Sequence, residues 1–224
     1  MPNLLTVGDQ PLMSLTPPAL ATRLLRAGSD VDFQDGALIH SRGDENRGLS
    51  IIREGAVRFD KFLANGDCVT VSVLGPGHSF GEATLFAGMG RAYDASAVGE
   101  TVICQISSAR IERLIAEEPA LAQVLLIATT RRLYSALGFL DDLRSLTLPQ
   151  RTAKLLHSMA QSSGDPHSVA CRQSDLAFTL GVSRVSIGKA LSGLQRSKLI
   201  RLGYGRIDIP DPSALERWIT NDDQ

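Results

Sequence analysis

The sequence predicts an α+β protein with an N-terminal jelly-roll β-barrel, a long helix and a C-terminal winged helix-turn-helix. Three observations lead to this fold class. Short apolar segments separated by turn dipeptides fill residues 31–106, helical periodicity begins at Ser107, and two short amphipathic segments flank Gly181. With 224 residues, 43% of them hydrophobic and 21% charged, the chain has the composition of a globular protein that divides into domains.

Residues 31–106 have the pattern of an antiparallel barrel. Three segments alternate polar and apolar residues: 49–53, 56–63 and 69–74. Such alternation is typical of strands that bury one face. The dipeptides Glu54-Gly55 and Asn65-Gly66 separate these segments as predicted turns, and Asn-Gly is a strong hairpin signal. Regular short strands with frequent turns predict a jelly-roll barrel.

Helices are predicted on both sides of the barrel. The spacing of three leucines predicts a short lead-in helix: Leu20, Leu24 and Leu25. Pro119 opens a longer helix, since proline is favoured in a first helical turn. The segment 146–149 ends that helix at a proline and predicts a hinge, followed by a helix over 151–159.

The long helix carries a heptad seam. Its members recur at alternating intervals of four and three residues: Leu126, Thr130, Leu133, Leu137 and Leu140. This pattern is typical of a helix that pairs with the same helix of a second copy. The alternative is packing against its own domain. Because helix-turn-helix proteins usually bind two-fold symmetric DNA sites, we expect a homodimer.

Residues 173–191 outline two short helices around the turn at Gly181. Ser183 is a good N-cap for the second helix. Arg184, Ser186 and Lys189 would be exposed on the N-terminal half of that helix, where they can bond phosphate oxygens or base edges. The segment therefore predicts a DNA-binding helix-turn-helix.

The charge distribution agrees with a DNA-binding C-terminal region. Residues 151–206 carry 9 Lys and Arg against 2 Asp and Glu, whereas residues 1–150 have a net charge of -4. A basic surface is what a polyanion-binding domain needs. A hairpin, or wing, over 199–209 and a helix over 212–220, with Trp218 as a packing residue, complete the predicted domain. We expect a barrel domain over 1–118, a long dimerisation helix with its hinge over 119–148, and a winged helix-turn-helix domain over 149–224.

Neither secretion nor membrane insertion is expected. The cysteines are far apart and lack disulfide or metal-ligand spacing: Cys68, Cys104 and Cys171. The N-terminus has no basic stretch before an apolar core, so we expect no signal peptide. The apolar run 120–128 is interrupted by Gln123 and is too short to span a bilayer. We expect a cytoplasmic protein without a membrane partner.

Several motifs carry a resemblance to a known family. They are Ile-His-Ser-Arg-Gly-Asp at 39–44, Glu-Gly-Ala-Val at 54–57, Gly-Pro-Gly-His-Ser-Phe-Gly-Glu-Ala-Thr-Leu-Phe at 75–86, the stretch 106–133, and Gly-Val-Ser-Arg at 181–184. Together with the order of the elements, they resemble the cyclic AMP receptor protein and FNR family of bacterial transcription regulators over nearly the whole chain. The resemblance implies a homodimeric, sequence-specific regulator rather than an enzyme. Its implied partners are pseudo-palindromic double-stranded DNA and, for an activator, RNA polymerase.

The resemblance also implies an effector pocket in the barrel. In members that bind cyclic nucleotides, a Gly-Glu pair holds the sugar and an Arg-Ser pair holds the cyclic phosphate. Gly81, Glu82 and Arg91 match these residues. A guanidinium can donate two parallel hydrogen bonds to an anionic phosphate, which suits such a pocket. The alternative for these residues is a tight turn and a salt bridge that belong to the fold.

This sequence departs from the cyclic AMP pattern at three pocket positions. Ala92 replaces the hydroxyl residue after the arginine, and Ala136 and Leu137 replace the adenine-contacting Thr-Ser pair. Base edges left unpaired in a buried site cost about 1 to 3 kcal/mol each. Cyclic AMP is therefore not the favoured effector. A different cyclic nucleotide, an apolar effector and activity without any ligand remain as alternatives.

Metal-based sensing and catalysis have little support in the sequence. The iron-sulfur members of the family need a cysteine cluster, and residues 1–30 contain no cysteine. Haem could use His78 or Cys68 as an axial ligand, but a lone histidine in a Gly-Pro-Gly-His turn is more often a turn residue. A cupin-type metal enzyme would need a His-x-His pair, which His40 and His78 do not form. We expect no metal site.

The second helix of the motif differs from the family pattern at one base-contacting position. The family has Ser-Arg-Glu-Thr followed by an arginine, and this chain has Ser183, Arg184, Val185, Ser186 and Lys189. The resemblance implies that Arg184 keeps a bidentate guanine contact, while Val185 cannot accept a hydrogen bond from cytosine. We expect a half-site that is changed or relaxed at that base pair. Gln173 and Ser174 match the start of the first helix, where they contact phosphates or cap the helix.

Overall fold

The computed structural model describes residues 10–62 and 68–220, with the side chain of Ser162 excepted. The Asn65-Gly66 hairpin and the N-terminal nine residues lie outside the described residues. The chain divides into two compact units, with the boundary between Leu133 and Tyr134. No helix in the described ranges is long and apolar enough to cross a membrane.

The N-terminal unit is built on one antiparallel sheet. Its strands are β1 (Ser29–Phe33), β2 (Leu38–His40), β3 (Gly48–Phe62), β4 (Cys68–Leu74), β5 (Ser79–Phe80) and β6 (Asp94–Ser107). The strand order is β1-β6-β3-β4, and β2 pairs with β6 while β5 pairs with β3. The predicted α+β class and jelly-roll topology are confirmed. The described strands form one sheet with β1 and β4 at its ends rather than a closed ring, which is consistent with a jelly-roll-like fold.

One predicted turn is a β-bulge instead. Residues 49–53 and 56–62 belong to the single strand β3, and the register against β6 shifts on both sides of Glu54. Gly55 has φ 72°, and a Cβ there would lie 2.4 Å from the carbonyl oxygen of Glu100. The glycine therefore lets β3 bend within the sheet rather than reverse its direction.

Helices surround the sheet of this unit. They are α1 (Leu12–Leu15), α2 (Pro18–Arg26), α3 (Glu82–Ala87), α4 (Ser108–Glu117) and the start of α5 (Ala120–Ser145). Helix α2 is the predicted lead-in helix, and Leu24 on it is fully buried with Ile111 and Leu121 of the later helices. Pro119 immediately precedes α5. Only the N-terminal part of α5 is buried in the core of its unit, up to Ala128.

The C-terminal unit has the predicted winged helix-turn-helix. Its elements are α6 (Leu148–Ser163), β7 (Ser168–Val169), α7 (Gln173–Thr179), α8 (Arg184–Arg196), β8 (Arg201–Gly203), β9 (Arg206–Asp208) and α9 (Pro212–Thr220). The three strands form a small sheet in the order β7-β9-β8. Leu156, Leu176 and Ile187 are fully buried in its core, and Trp218 packs against that core as predicted.

The predicted hinge is shorter than the sequence suggested. Pro149 lies inside the first turn of α6, where proline is tolerated, and α6 begins at Leu148 rather than Arg151. Thr147 caps this helix in a capping box with Gln150, whose side chain accepts from the Thr147 amide at 2.9 Å. Only Leu146 and Thr147 therefore separate α5 from α6.

Candidate nucleic-acid interface and effector pocket

The first helix of the motif is fixed at its N-terminus by Asp175. The Asp175 carboxylate accepts from the Arg172 amide at 3.0 Å and from the Ser174 hydroxyl at 3.2 Å. Ser174 therefore contacts the capping residue Asp175. Gln173, the first residue of α7, is exposed.

The turn leads into α8 through a second cap. The Val182 amide donates to the Ala177 carbonyl at 2.9 Å, which closes the turn. The Ser183 hydroxyl accepts from the Ser186 amide at 3.1 Å and lies 2.9 Å from the Ser186 hydroxyl. Ser183 and Ser186 thus stabilise the first turn of α8 together.

Helix α8 has one buried and one exposed face. Ile187 and Leu191 are fully buried, while Arg184, Val185 and Lys189 are exposed. The exposed fraction of Val185 is 68%. Val185 and Lys189 line one surface depression, together with Gln173 of α7. The structure brings these predicted base-contacting and phosphate-contacting positions onto one surface.

The same surface contains residues that sequence reasoning missed. Ser192, Gln195 and Arg196 continue the depression toward the end of α8. The sequence spacing could have indicated them. Ser192 and Arg196 follow Lys189 by three and seven residues, and these intervals place the side chains on the same helical face. Gln195 accepts from the Leu202 amide at 3.0 Å and so links α8 to the wing.

The tip of the wing was also missed as a candidate contact. Tyr204 is fully exposed between Gly203 and Gly205. Its neighbours Arg201 and Arg206 lie on the two strands of the hairpin, and Arg206 donates to the Asp208 carboxylate at 2.6 Å. An exposed aromatic ring between basic strands was visible in the sequence as Gly-Tyr-Gly flanked by arginines.

In the N-terminal unit, Gly81, Glu82 and Arg91 lie together. Gly81 joins β5 to α3 with φ 107°, and a Cβ there would lie 2.3 Å from the Gly48 carbonyl oxygen and 2.6 Å from Nη1 of Arg91. Only glycine allows the guanidinium to approach the backbone this closely. The predicted Gly-Glu and arginine positions are thus neighbours in space, and Ala92 follows Arg91 as an exposed residue.

Glu82 is held by groups of its own unit. One carboxylate oxygen accepts from the Ser79 hydroxyl, and the other lies 3.7 Å from Nη1 of Arg132 on α5. Arg132 also donates to the Ser79 carbonyl oxygen at 3.3 Å. Sequence reasoning used Arg132 only as part of a family motif. Its contact with Glu82 makes it part of the candidate pocket.

Arg91 is a partly buried cation with few hydrogen bonds. Its Nη2 donates to the Asn46 carbonyl oxygen at 3.5 Å, and its guanidinium lies 5.9 Å from the centre of the Phe80 ring. Its buried Nε has no hydrogen-bond partner among the described residues. Burial lowers the pKa of Arg91, although the Glu82 and Asp44 carboxylates act in the opposite direction. This arrangement can bind an anion.

Aromatic rings and His40 lie beside Arg91. The His40 ring is 5.7 Å from that of Phe80, and Phe59 meets Phe80 edge to face at 5.4 Å. Burial, and then the charge of Arg91, lower the pKa of His40 to about 4. His40 is therefore neutral at physiological pH. The sequence suggested only a metal-ligand role for this histidine, and its place beside Arg91 was missed.

The remaining candidate ligands are dispersed. Within 10–62 and 68–220, no three His, Cys, Asp or Glu side chains are grouped as metal ligands. His78 is buried in its turn, with Nδ1 at 3.1 Å from the Gly75 carbonyl oxygen. Cys68 is exposed, whereas burial raises the pKa of Cys104, and raises that of Cys171 to about 11.

The seam of α5 is exposed on the chain. Its five members carry exposed side chains: Leu126, Thr130, Leu133, Leu137 and Leu140. Ile127 and Tyr134 lie one position after seam leucines and are exposed as well. Ala136 and Leu137, predicted for the effector pocket, are exposed on the part of α5 that belongs to the C-terminal unit.

Comparisons with known proteins agree with these two units. Residues 30–118 match the model of the cyclic nucleotide-binding domain, and residues 150–218 match that of the Crp-like helix-turn-helix domain. The chain is 30% identical over 185 residues to a cyclic AMP receptor protein of Thermus thermophilus, covering 82% of this chain and 85% of that protein. It is 28% identical over 206 residues to a CRP-like cAMP-activated global transcriptional regulator of Mycobacterium tuberculosis, covering 89% and 92%.

A solved structure extends the likeness to the fold. The catabolite activator protein of Thermus thermophilus superimposes with a TM-score of 0.55 and 27% identity, covering 93% of this chain and 97% of that one. The sequence motifs, the order of the elements and the relatives all indicate the same family. The chain belongs to the cyclic AMP receptor protein and FNR family of transcription regulators, and its C-terminal domain is the DNA-binding helix-turn-helix of that family.

Proposed function

We propose that the chain is a homodimeric regulator that binds double-stranded DNA at two related half-sites through α8. The observation that carries this proposal is the division of α8 into a buried face and an exposed face with Arg184, Val185 and Lys189. Arg184 donates two hydrogen bonds to guanine, Lys189 donates to guanine or phosphate, and Val185 packs against a thymine methyl group. RNA polymerase is a further partner if the regulator activates transcription.

Selection of random duplexes by the full chain tests the DNA contacts. We expect a two-fold related site with guanine opposite Arg184 and no cytosine requirement at the position opposite Val185. Arg184→Ala should lower affinity by about 1 to 3 kcal/mol and relax one base pair. Arg217→Ala, which removes a cation from α9, is the matched control. Recovery of the family's standard half-site at full stringency would contradict the role of Val185.

The exposed seam of α5 supports the homodimer. Leu126, Leu133 and Leu140 repeat every seven residues and are more than half exposed on the single chain. Leucines in such a row are buried when two helices pair through knobs-into-holes packing. A dimer places two copies of α8 on one duplex, so that each contacts one half-site.

The N-terminal domain, we infer, binds a small anionic effector at Arg91. A partly buried guanidinium whose Nε lacks a partner is stabilised by an anion. Glu82 can accept from a sugar hydroxyl, which makes a cyclic nucleotide a candidate. Cyclic AMP is not favoured, because Ala92 offers no hydroxyl and the family's adenine-contacting positions are Ala136 and Leu137. Haem and iron-sulfur clusters are not part of this proposal.

Thermal shift measurements test the effector. A ligand that binds only the folded state raises the unfolding free energy by about 2.7 kcal/mol at 100 times its Kd. A panel of cyclic AMP, cyclic GMP, cyclic di-GMP and inorganic phosphate is the probe set. We expect at least one phosphate compound to raise the Tm of the parent protein and not that of Arg91→Gln. The control is Arg42→Gln, which removes an exposed charge next to Gly43, whose amide donates to the Arg91 carbonyl oxygen at 2.8 Å. A Tm rise that survives Arg91→Gln contradicts the proposal.

A second candidate is regulation without an effector. Leu137 continues the apolar seam between Leu133 and Leu140, so the pairing of α5 does not depend on a polar contact at that point. A constitutive dimer would bind DNA with the same affinity in the presence and absence of cyclic nucleotides. Calorimetry that detects no heat with these ligands, together with unchanged DNA affinity, would favour this candidate over the first.

A further inference from the structure

The C-terminal end of α8 carries an unpaired basic cluster. The cluster consists of Arg196, Lys198 and Arg201. All three are exposed, and none forms an ion pair within the described part of the chain. By contrast, Arg206 and Arg217 of the same unit each pair with an aspartate. Asp208 lies opposite Arg201 in the β8–β9 pairing, but its carboxylate accepts from Arg206 at 2.6 Å. A bound anion would therefore stabilise the three like charges.

Lys198 provides an independent observation. Its φ is 59°, which makes it the one non-glycine residue with positive φ among the described residues. The Lys198 amide donates to the Gln195 carbonyl at 2.9 Å, and the Leu199 amide donates to the Leu194 carbonyl at 3.0 Å. These two bonds form a Schellman motif, whose left-handed position usually holds glycine or asparagine. A lysine at this position costs backbone stability relative to glycine.

The basic cluster continues the DNA-facing surface of α8. Val185, Lys189, Ser192 and Arg196 follow each other at intervals of four, three and four residues, which is one helical face. Gln195 borders both the depression along this face and the neighbouring one lined by Lys198 and Arg201. The 13 residues of α8 span about 20 Å, more than the roughly 12 Å width of the major groove. The end of the helix can therefore reach the phosphates at the rim of the groove.

We propose that Arg196, Lys198 and Arg201 bind backbone phosphates of the same duplex, outside the base pairs that α8 contacts with its N-terminal half. This inference rests on the proposed DNA binding and adds an anchoring site to it. The contacts carry no base information, so they set affinity and its salt dependence rather than the preferred sequence. The continuity with the face of Lys189 favours DNA over an acidic protein surface as the partner.

The salt dependence of DNA binding tests this anchoring site. The full chain is titrated by fluorescence anisotropy against its selected duplex over a series of KCl concentrations. Each phosphate contact contributes about 0.9 to the slope of log K against log salt. Arg196→Gln, Lys198→Asn and Arg201→Gln should each flatten the slope by about that amount, with an unchanged base preference. Lys198→Asn keeps a residue that tolerates positive φ, so its fold is preserved.

Controls distinguish local contacts from general charge effects. Arg217→Gln removes one charge of the same unit and should leave the slope unchanged. A duplex with shortened flanks should flatten the slope for the parent protein but not for the triple variant. If the triple variant retains the parental slope, the inference is overturned and an acidic protein surface becomes the partner to test. If the parent protein selects no duplex at all, the proposed function fails together with the inference.

Discussion

Replacing Leu133 by alanine should weaken the dimer strongly. The side chain is 57% exposed on the single chain and lies in the middle of the α5 seam. Full burial of a leucine is worth about 1.5 to 3 kcal/mol, so covering the exposed part contributes about 1 to 1.5 kcal/mol per copy. Both copies lose this burial, which gives about 2 to 3 kcal/mol per dimer. The dimer Kd should rise about 30- to 150-fold.

Analytical ultracentrifugation over a range of protein concentrations measures this change. Phe139→Ala is the matched control, because Phe139 is 44% exposed on the same helix but lies off the seam. The helix content and Tm of both variants are checked to confirm that each folds. An unchanged dimer Kd for Leu133→Ala, or an equal loss for Phe139→Ala, would refute the assignment of the seam as the dimer interface.

Further predictions concern single positions in both units. Val185→Glu should restore a cytosine preference worth about 1 to 3 kcal/mol, measured by duplex selection; no change in preference would place Val185 away from the bases. Lys198→Gly should raise the free energy of unfolding in urea by about 1 kcal/mol, and Lys198→Ala, which keeps the strained φ, should not. Gly81→Ala should lower that free energy by at least about 1 kcal/mol, since its Cβ would meet the Gly48 carbonyl oxygen at 2.3 Å. His40 binds protons more readily when unfolded, so stability should fall as the pH drops from about 6.5 to about 4, and His40→Phe should flatten that part of the pH profile.

The elements of the fold could be predicted where local chemistry decides them. The caps at Ser183 and the leucine spacing of α2 depend on residues close in sequence, and both are confirmed. Gly55 and Pro149 misled the prediction for a shared reason. A glycine permits a bulge as well as a turn, and a proline can start a helix as well as end one. Only the pairing partner of β3 and the cap at Thr147 decide between these outcomes.

The candidate sites were predictable in part for similar reasons. Arg184 and Lys189 follow from helical spacing, whereas the place of His40 beside Arg91 depends on strands that are distant in sequence. The long-range pairing of β2 with β6 brings them together, and no local pattern encodes it. The positive φ of Lys198 was also hidden, because lysine gives no signal for a left-handed residue.

In the proposed DNA complex, the exposed Val185 determines how strongly incorrect bases are disfavoured. A glutamate at that position would discriminate by penalty, because a mismatched base leaves a desolvated carboxylate without a donor. A valine has no polar group that could be left without a hydrogen-bond partner. It can therefore only add favourable contact with a methyl group and cannot exclude the other bases strongly. A favourable contact alone therefore gives only a small difference in binding free energy between correct and incorrect bases. If Val185 makes the proposed contact, we expect the protein to bind a broad set of sites with graded affinity, so that occupancy rises gradually with protein concentration.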